Sequence, residues 1–142
     1  MSKLRDIMSK DLVTVTPDTS VQEVARLMKE HDIGNVLVTE GDRLTGIVTD
    51  RDIVVRCLAE GGDFKSDVRN VMTENPRTLS PDTDVIEAAQ MMAAEKVRRL
   101  PVVENGKPVG IVSLGDLAVR SGTSADEQAL ESISQPGGQH QS

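Results

Sequence analysis

Two stretches of the chain read almost alike: GIVTDRD at residues 46–52 and GIVSLGD at residues 110–116. Each contains a glycine, two β-branched apolar residues, a hydroxyl residue and, three positions after the hydroxyl, an aspartate. A shift of the sequence by 64 positions aligns residues 5–56 with residues 69–120 without a gap, and about a third of the aligned positions are identical. An internal repeat of this kind predicts two similar structural units.

The composition narrows the class of function. The net charge is −7, and Phe64 is the single aromatic residue among 142 residues. Binding of nucleic acid needs a basic face or aromatic stacking platforms, so we expect no nucleic-acid partner. The two histidines, His31 and His140, are far apart in sequence, and we expect neither a metal site nor histidine-based catalysis.

The compartment is predicted from three further features. Cys57 is the only cysteine, so no internal disulfide can form, and we expect a buried structural thiol in a reducing cytoplasm. The N-terminal stretch MSKLRDIMSKD has no apolar core of a signal peptide. No apolar run approaches the roughly 20 residues of a membrane helix, so we expect no membrane contact.

Each repeat predicts a strand, a helix, two strands joined as a hairpin, and a second helix. The helices are expected to begin after Ser20, Thr49, Asp84 and Ser113, with Ser20 and Glu23 forming a capping box. The predicted strands lie at 13–15, 36–39, 44–48 and 77–79, and the predicted hairpin turns lie at 40–43 and 104–107.

The predicted fold class is α/β (α+β), with two tandem βαββα units packed about a pseudo-twofold axis. Because about fifty residues bury little core alone, the two units are expected to share one. The predicted boundaries are residues 1–62 for the first unit with its N-terminal segment, 63–122 for the second, and 123–142 for a polar, disordered tail that holds at best a short helix around 125–133. We expect Phe64 to fasten the connecting loop to the body.

The repeated phrase has two interpretations. Thr49 with Asp52, and Ser113 with Asp116, have the spacing of a capping box at a helix start. However, the other two helices carry glutamate at the equivalent position, and the shorter aspartate is expected to reach back less well. The use of aspartate therefore favours contact with a ligand, such as accepting hydrogen bonds from a diol. The helix start beside it would attract an anion.

The duplicated units resemble CBS domains, and the pair resembles a Bateman module over residues ~1–120. The resemblance is carried by the repeat, the order of elements, the stretch Leu100-Pro101-Val102-Val103 and the two repeated phrases. The resemblance implies that the protein is a sensor and not an enzyme, and that it requires no cofactor. It also implies that an adenosine-containing ligand binds in a cleft between the domains. AMP, ADP, ATP, NAD(H) and S-adenosylmethionine are the candidate ligands.

The resemblance also implies roles for individual residues. Asp52 and Asp116 would hold ribose hydroxyls, with Thr49 and Ser113 near the ribose-phosphate. The basic residues before the Leu-Pro-Val-Val stretch would bind phosphate, and here they are Arg98 and Arg99.

The two copies are not equivalent. Gly34 and Asn35 occupy the positions that match Arg98 and Arg99. Arg51 either compensates for this loss of basic residues or is a solvated surface residue. We therefore expect sites of unequal strength, one of which can be empty.

We therefore expect a stand-alone, cytoplasmic protein that forms a homodimer. We expect it to signal energy or metabolic state to a protein target whose identity is unknown. The alternative is a protein-interaction scaffold with vestigial, empty nucleotide sites.

Overall fold

The computed structural model describes residues 2–121 of the chain, so the short helix predicted around 125–133 and the polar tail lie outside the described residues. Six strands and four α-helices occur within these residues, in the predicted order except that the fourth strand lies at 73–74 and not at the predicted 77–79. They are β1 Thr14–Val15, α1 Val21–His31, β2 Asn35–Glu40, β3 Arg43–Thr49, α2 Asp50–Asp52, β4 Thr73–Glu74, α3 Val85–Glu95, β5 Arg99–Glu104, β6 Lys107–Ser113 and α4 Leu114–Ser121. The predicted helix after Thr49 is an α-helical turn that continues as a π-helical segment, Ile53–Leu58.

The described residues form two compact units, and each contains a segment from the other repeat. Residues 12–76 form the first unit, and residues 2–11 with 77–121 form the second. The predicted boundaries follow the repeat, whereas the packing places the N-terminal residues 2–11 with the second repeat and residues 63–76 with the first.

The first unit contains a four-stranded sheet in the order β1-β2-β3-β4, in which only the β1–β2 pair is parallel. The second unit contains the β5–β6 hairpin. Single bridges replace the outer strands there: Leu79 pairs with Val102 in parallel, and Ser9 pairs with Ile111 in antiparallel fashion. The prediction of a strand at 77–79 is therefore wrong, since only one of its residues is paired.

Turn and cap chemistry explain the β5–β6 turn and the start of α1. Asn105 and Gly106 both have positive φ angles, 55° and 82°, as a two-residue type I′ hairpin turn requires. The Ser20 hydroxyl accepts a hydrogen bond from the Glu23 N–H at 3.1 Å, as predicted. The Glu23 carboxylate instead binds Arg26, so the predicted capping box at Ser20 is only half formed.

The buried hydrophobic residues form one cluster in each unit, and not the single shared core that we predicted. Leu4 and Ile7 lie in the cluster of the second unit, and Val68 and Val71 lie in that of the first. These two pairs occupy equivalent positions of the repeat. The exchanged segments thus add apolar residues to units that would otherwise be small.

Two single-residue predictions have opposite outcomes. Cys57 is 2% exposed, so the prediction of a buried thiol is confirmed. The Phe64 side chain is 50% exposed, so the prediction that it fastens the connecting loop is wrong. Backbone hydrogen bonds fasten the loop instead, because the Phe64 and Ser66 carbonyls accept from the N–H groups of Gln22 and Val21 at 2.9 Å each.

Candidate functional site

The first repeated phrase lies where β3 ends and α2 begins. The Thr49 hydroxyl accepts a hydrogen bond from the Asp52 N–H at 3.1 Å, and the Asp52 carboxylate accepts one from the Thr49 N–H at 2.9 Å. This reciprocal pair is a capping box, which satisfies two backbone donors at the helix start. We call the residues Gly34, Asn35, Thr49 and Asp52 the first junction.

The second phrase forms the same arrangement where β6 passes into α4. The Ser113 hydroxyl accepts from the Asp116 N–H at 3.1 Å, and the Asp116 Oδ2 accepts from the Ser113 N–H at 3.2 Å. We call the residues Arg98, Arg99, Ser113 and Asp116 the second junction.

The capping interpretation of both phrases is therefore confirmed. Our expectation that aspartate reaches back less well than glutamate is wrong, because both aspartates complete the box. Glu23, with one more methylene, extends along its helix to Arg26. Helix capping alone accounts for the spacing of hydroxyl residue and aspartate, and a ligand role for the aspartates needs separate support.

Asp52 has one hydrogen-bonded oxygen and one that lies in a longer ion pair. Its Oδ2 accepts the capping bond, and its Oδ1 lies 3.9 Å from the Nε of Arg56. The Arg56 guanidinium also donates to the carbonyls of Val71 and Met72 at 3.2 Å each, so its position is fixed. Asp52 is only 16% exposed and is held from two sides.

Both arginines of the second junction lie beside the start of α4. The Arg98 carbonyl accepts a hydrogen bond from the Leu114 N–H at 3.0 Å, and Arg99 is the cross-strand partner of Ser113. Both arginines are half-buried. The structure thus brings together the four residues that were predicted in the second repeat, at the point where the start of β5 lies beside the end of β6 and the start of α4.

The first junction has the same backbone arrangement without these cations. The Gly34 carbonyl accepts from the Asp50 N–H at 3.0 Å, and Asn35 pairs with Thr49. Arg51 is exposed. The second junction therefore contains two arginines, whereas the first contains a glycine and an asparagine at the same positions.

The sequence interpretation missed the reason for the glycine that opens each phrase. A β-carbon at Gly110 would lie 2.5 Å from the sulfur of Met8, and one at Gly46 would lie 2.6 Å from the sulfur of Met72. Both methionines belong to exchanged segments. The signal was present, since both the methionines and the glycines recur at the spacing of 64 residues.

Residues 2–121 include no group of three or more histidine, cysteine, aspartate or glutamate side chains arranged to hold a metal ion. Within the same residues, no helix combines the length and the apolar character needed to cross a membrane.

Comparison with known proteins gives consistent matches. The CBS domain model matches residues 4–58 and again residues 68–121. The CBS domain-containing protein YhcV of Bacillus subtilis is 43% identical over 119 residues, which cover 84% of this chain and 85% of that protein.

Solved structures agree in fold. The crystal structure of CBSX2 in complex with AMP is 29% identical, with a TM-score of 0.77, and the match covers 86% of this chain and 96% of that one. The hexameric CBS-CP12 protein from bloom-forming cyanobacteria is 30% identical, with a TM-score of 0.75 over 85% of this chain and 72% of that one.

Proposed function

Because the chain belongs to the CBS domain family and carries two such domains in tandem, we propose that it is a non-catalytic regulatory protein that binds an adenosine-containing ligand. The ligand is an adenine nucleotide, NAD(H) or S-adenosylmethionine, and its binding signals energy or metabolic state to a protein target. No cofactor is required beyond this regulatory ligand.

The observation that carries the proposal is the AMP complex of CBSX2, a protein of the same fold that is 29% identical to this chain. The duplicated junctions support it further. Each one presents a carboxylate in a fixed orientation beside a helix start, where backbone N–H groups favour an anion.

In the second junction, we assign the ribose to Asp116. Its Oδ2 is engaged in the cap, and its Oδ1 would accept a hydrogen bond from a ribose hydroxyl. Ser113 would lie near the ribose-phosphate. Arg98 and Arg99 would bind phosphate, for which the guanidinium fork is well suited.

The first junction is the weaker site in this proposal. Asp52 would hold the ribose and Thr49 would lie near the ribose-phosphate, but the Oδ1 of Asp52 already faces Arg56. Arg51 is the basic residue that could meet a phosphate there, and it is exposed. We therefore expect the second junction to bind a phosphorylated ligand more tightly than the first.

Signalling would follow from a shift in population. A ligand that binds one conformation of the chain better than another biases the equilibrium toward it, and a partner that distinguishes the two conformations reads the change. We also propose that the protein is cytoplasmic and that it forms a homodimer. Self-association of the similar CBS-CP12 protein, which is hexameric, supports the proposal that this chain associates with itself.

One observation favours a second candidate function, a protein-interaction scaffold with empty sites. Both aspartates are already bonded within capping boxes, so the repeated phrase has a structural purpose without any ligand.

A thermal-shift panel separates the two functions. AMP, ADP, ATP, NAD(H) and S-adenosylmethionine are each added to the full chain, and a ligand present at 100 times its dissociation constant stabilises the protein by about 2.7 kcal/mol. A sensor shows such a shift with at least one ligand. A chain whose melting temperature is unchanged by all of them is the scaffold.

A further inference from the structure

The Arg56 guanidinium contacts both the first junction and the exchanged segment that packs beside it. Its Nη1 donates to the carbonyls of Val71 and Met72 at 3.2 Å each, and its Nε lies 3.9 Å from the Oδ1 of Asp52. Arg56 belongs to the π-helical segment Ile53–Leu58, and π-helical turns are rare and occur frequently at functional sites. The arginine is therefore held next to the Asp52 oxygen that the cap does not use.

The capping box orients the Asp52 carboxylate without help from Arg56. The Oδ2 of Asp52 accepts from the Thr49 N–H at 2.9 Å, and the Thr49 hydroxyl accepts from the Asp52 N–H at 3.1 Å. Arg56 takes part in neither bond, so its effect is on the Oδ1. A cation beside this oxygen offsets part of the negative charge that a hydrogen-bond donor of a ligand would meet.

The contact between Arg56 and Asp52 is one that a ligand can displace. The separation of 3.9 Å is longer than a hydrogen bond, and the Arg56 side chain is 49% exposed. A ribose hydroxyl would form a shorter bond to the same oxygen, while the guanidinium would turn toward water. The arginine thus competes for the oxygen and does not close the site.

We propose that Arg56 is an internal competitor of the ligand at the first junction and sets the ligand concentration at which this junction fills. The inference rests on the function proposed above and names the regulation of one of its sites. Binding that must first displace an internal partner is weakened by the strength of that partner's interaction. For an ion pair as exposed as this one, the loss corresponds to an affinity lower by about two- to fivefold.

Calorimetric titration with adenosine tests the competition, since adenosine carries the ribose without a phosphate. The titration uses an Asp116→Ala background, in which the second junction is weakened. We expect Arg56→Met to tighten adenosine binding about two- to fivefold, and to lower the urea midpoint because the bonds to the Val71 and Met72 carbonyls are lost. A purely structural arginine would give losses of both affinity and stability. Unchanged or weaker adenosine binding overturns the competition.

Arg69→Met is the matched control. Arg69 lies in the same unit, is 52% exposed and pairs with Asp67 at 3.3 Å, and Asp67 has no proposed ligand role. We expect adenosine binding to be unchanged in this variant. A gain equal to that of Arg56→Met would be a general effect of removing a positive charge and would overturn the assignment to Arg56.

Asp52→Asn shows whether the effect of Arg56 acts through the aspartate. Asparagine removes the negative charge that attracts the guanidinium, so Arg56→Met should no longer tighten adenosine binding in this background. Absence of the gain supports the competition. A gain that persists without the Asp52 charge contradicts it.

The same titration of chains with an intact second junction separates this inference from the proposed function. If the wild type binds adenosine and Arg56→Met binds it no more tightly, the competition fails and the adenosine site stands. If neither the wild type nor Arg56→Met binds adenosine, both the competition and the adenosine site fail.

Discussion

Met8 packs directly over Gly110, at a distance that leaves no room for a side chain on residue 110. A β-carbon there would lie 2.5 Å from the Met8 sulfur and 2.7 Å from its Cγ. Met8 belongs to the N-terminal segment that packs in the second unit, and Ser9 next to it exchanges two backbone hydrogen bonds with Ile111. The glycine of the repeated phrase therefore admits the exchanged segment.

Gly110→Ala tests this contact. We expect it to lower the free energy of unfolding by about 1–3 kcal/mol, because the added methyl group overpacks the core against atoms close to the Met8 backbone. Urea denaturation measures the loss. Gly115→Ala is the control, since its β-carbon would have its nearest contact at 3.6 Å.

Met8→Ala should rescue the substitution. If the methionine is the obstacle, the double variant Met8→Ala/Gly110→Ala loses less stability than the sum of the two single variants. Strict additivity would show that the two residues do not compete for the same space.

Asp116→Ala separates the cap from the ligand site. Loss of the bond to the Ser113 N–H should cost about 0.5–2 kcal/mol of stability, and loss of a charged acceptor for the ribose should weaken adenosine binding by roughly 1.5–3 kcal/mol. Urea denaturation and calorimetric titration with adenosine measure the two effects.

Asp84→Ala is the matched control for Asp116→Ala. Asp84 caps α3 in the same unit through the Ile86 N–H at 2.8 Å and has no proposed ligand role. It should lose similar stability and keep its affinity for adenosine. If both variants keep their affinity, the aspartate of the phrase serves only as a cap.

Arg99→Ala tests the phosphate assignment. We expect AMP binding to weaken by roughly 1.5–3 kcal/mol, the scale of a hydrogen bond to a charged group, while adenosine binding is unchanged. Asn35→Ala, at the equivalent position of the first junction, should affect AMP much less. Equal losses for AMP and adenosine in Arg99→Ala would mean that the arginine does not recognise the phosphate.

The ion pair between Arg5 and Asp82 predicts a dependence on pH. The Arg5 guanidinium lies 2.7 Å from the Asp82 Oδ1 and holds the pKa of Asp82 below its ordinary value. A carboxylate with a lowered pKa in the folded state stabilises the protein above its unfolded pKa of about 3.9, and this contribution disappears as the pH falls through the folded pKa.

Asp82→Asn should therefore be less stable than the wild type at pH 7, by a small amount because the pair is exposed. The difference should begin to shrink near the unfolded pKa, at about pH 4, and should vanish only below the lowered folded pKa of Asp82. Urea denaturation at pH 7, 5 and 3 measures it, and Arg5→Gln should show the same profile. A difference that is as large at pH 3 as at pH 7 would point to a cause other than the ion pair.

The sequence predicted the features that local chemistry controls. The capping spacing at Ser113, the Asn105-Gly106 turn and the start of α1 after Ser20 each follow from a few neighbouring residues. The repeat indicated the order of the elements. The predicted hairpin also brings two residues of the second junction together, because Arg99, at the start of β5, lies opposite Ser113, at the end of β6.

The remaining features depend on contacts between distant residues. Nothing near Met8 in sequence indicates that its partner is Gly110, and so the exchange of segments was not predicted. The exposure of Phe64 follows from backbone bonds that hold the loop without it. The reach of Asp52 and Asp116 depends on the geometry of the helix start, which side-chain length alone does not determine.

Calorimetric titration of the wild-type chain with AMP tests the central claim most directly, because it needs no variant and reports affinity and stoichiometry together. The account predicts saturable binding, with a tighter site that Arg99→Ala weakens and at most one weaker site that it leaves intact. Absence of any saturable heat with AMP, and with the other four adenosine-containing compounds of the panel, would contradict the account and leave the two capping boxes as purely structural.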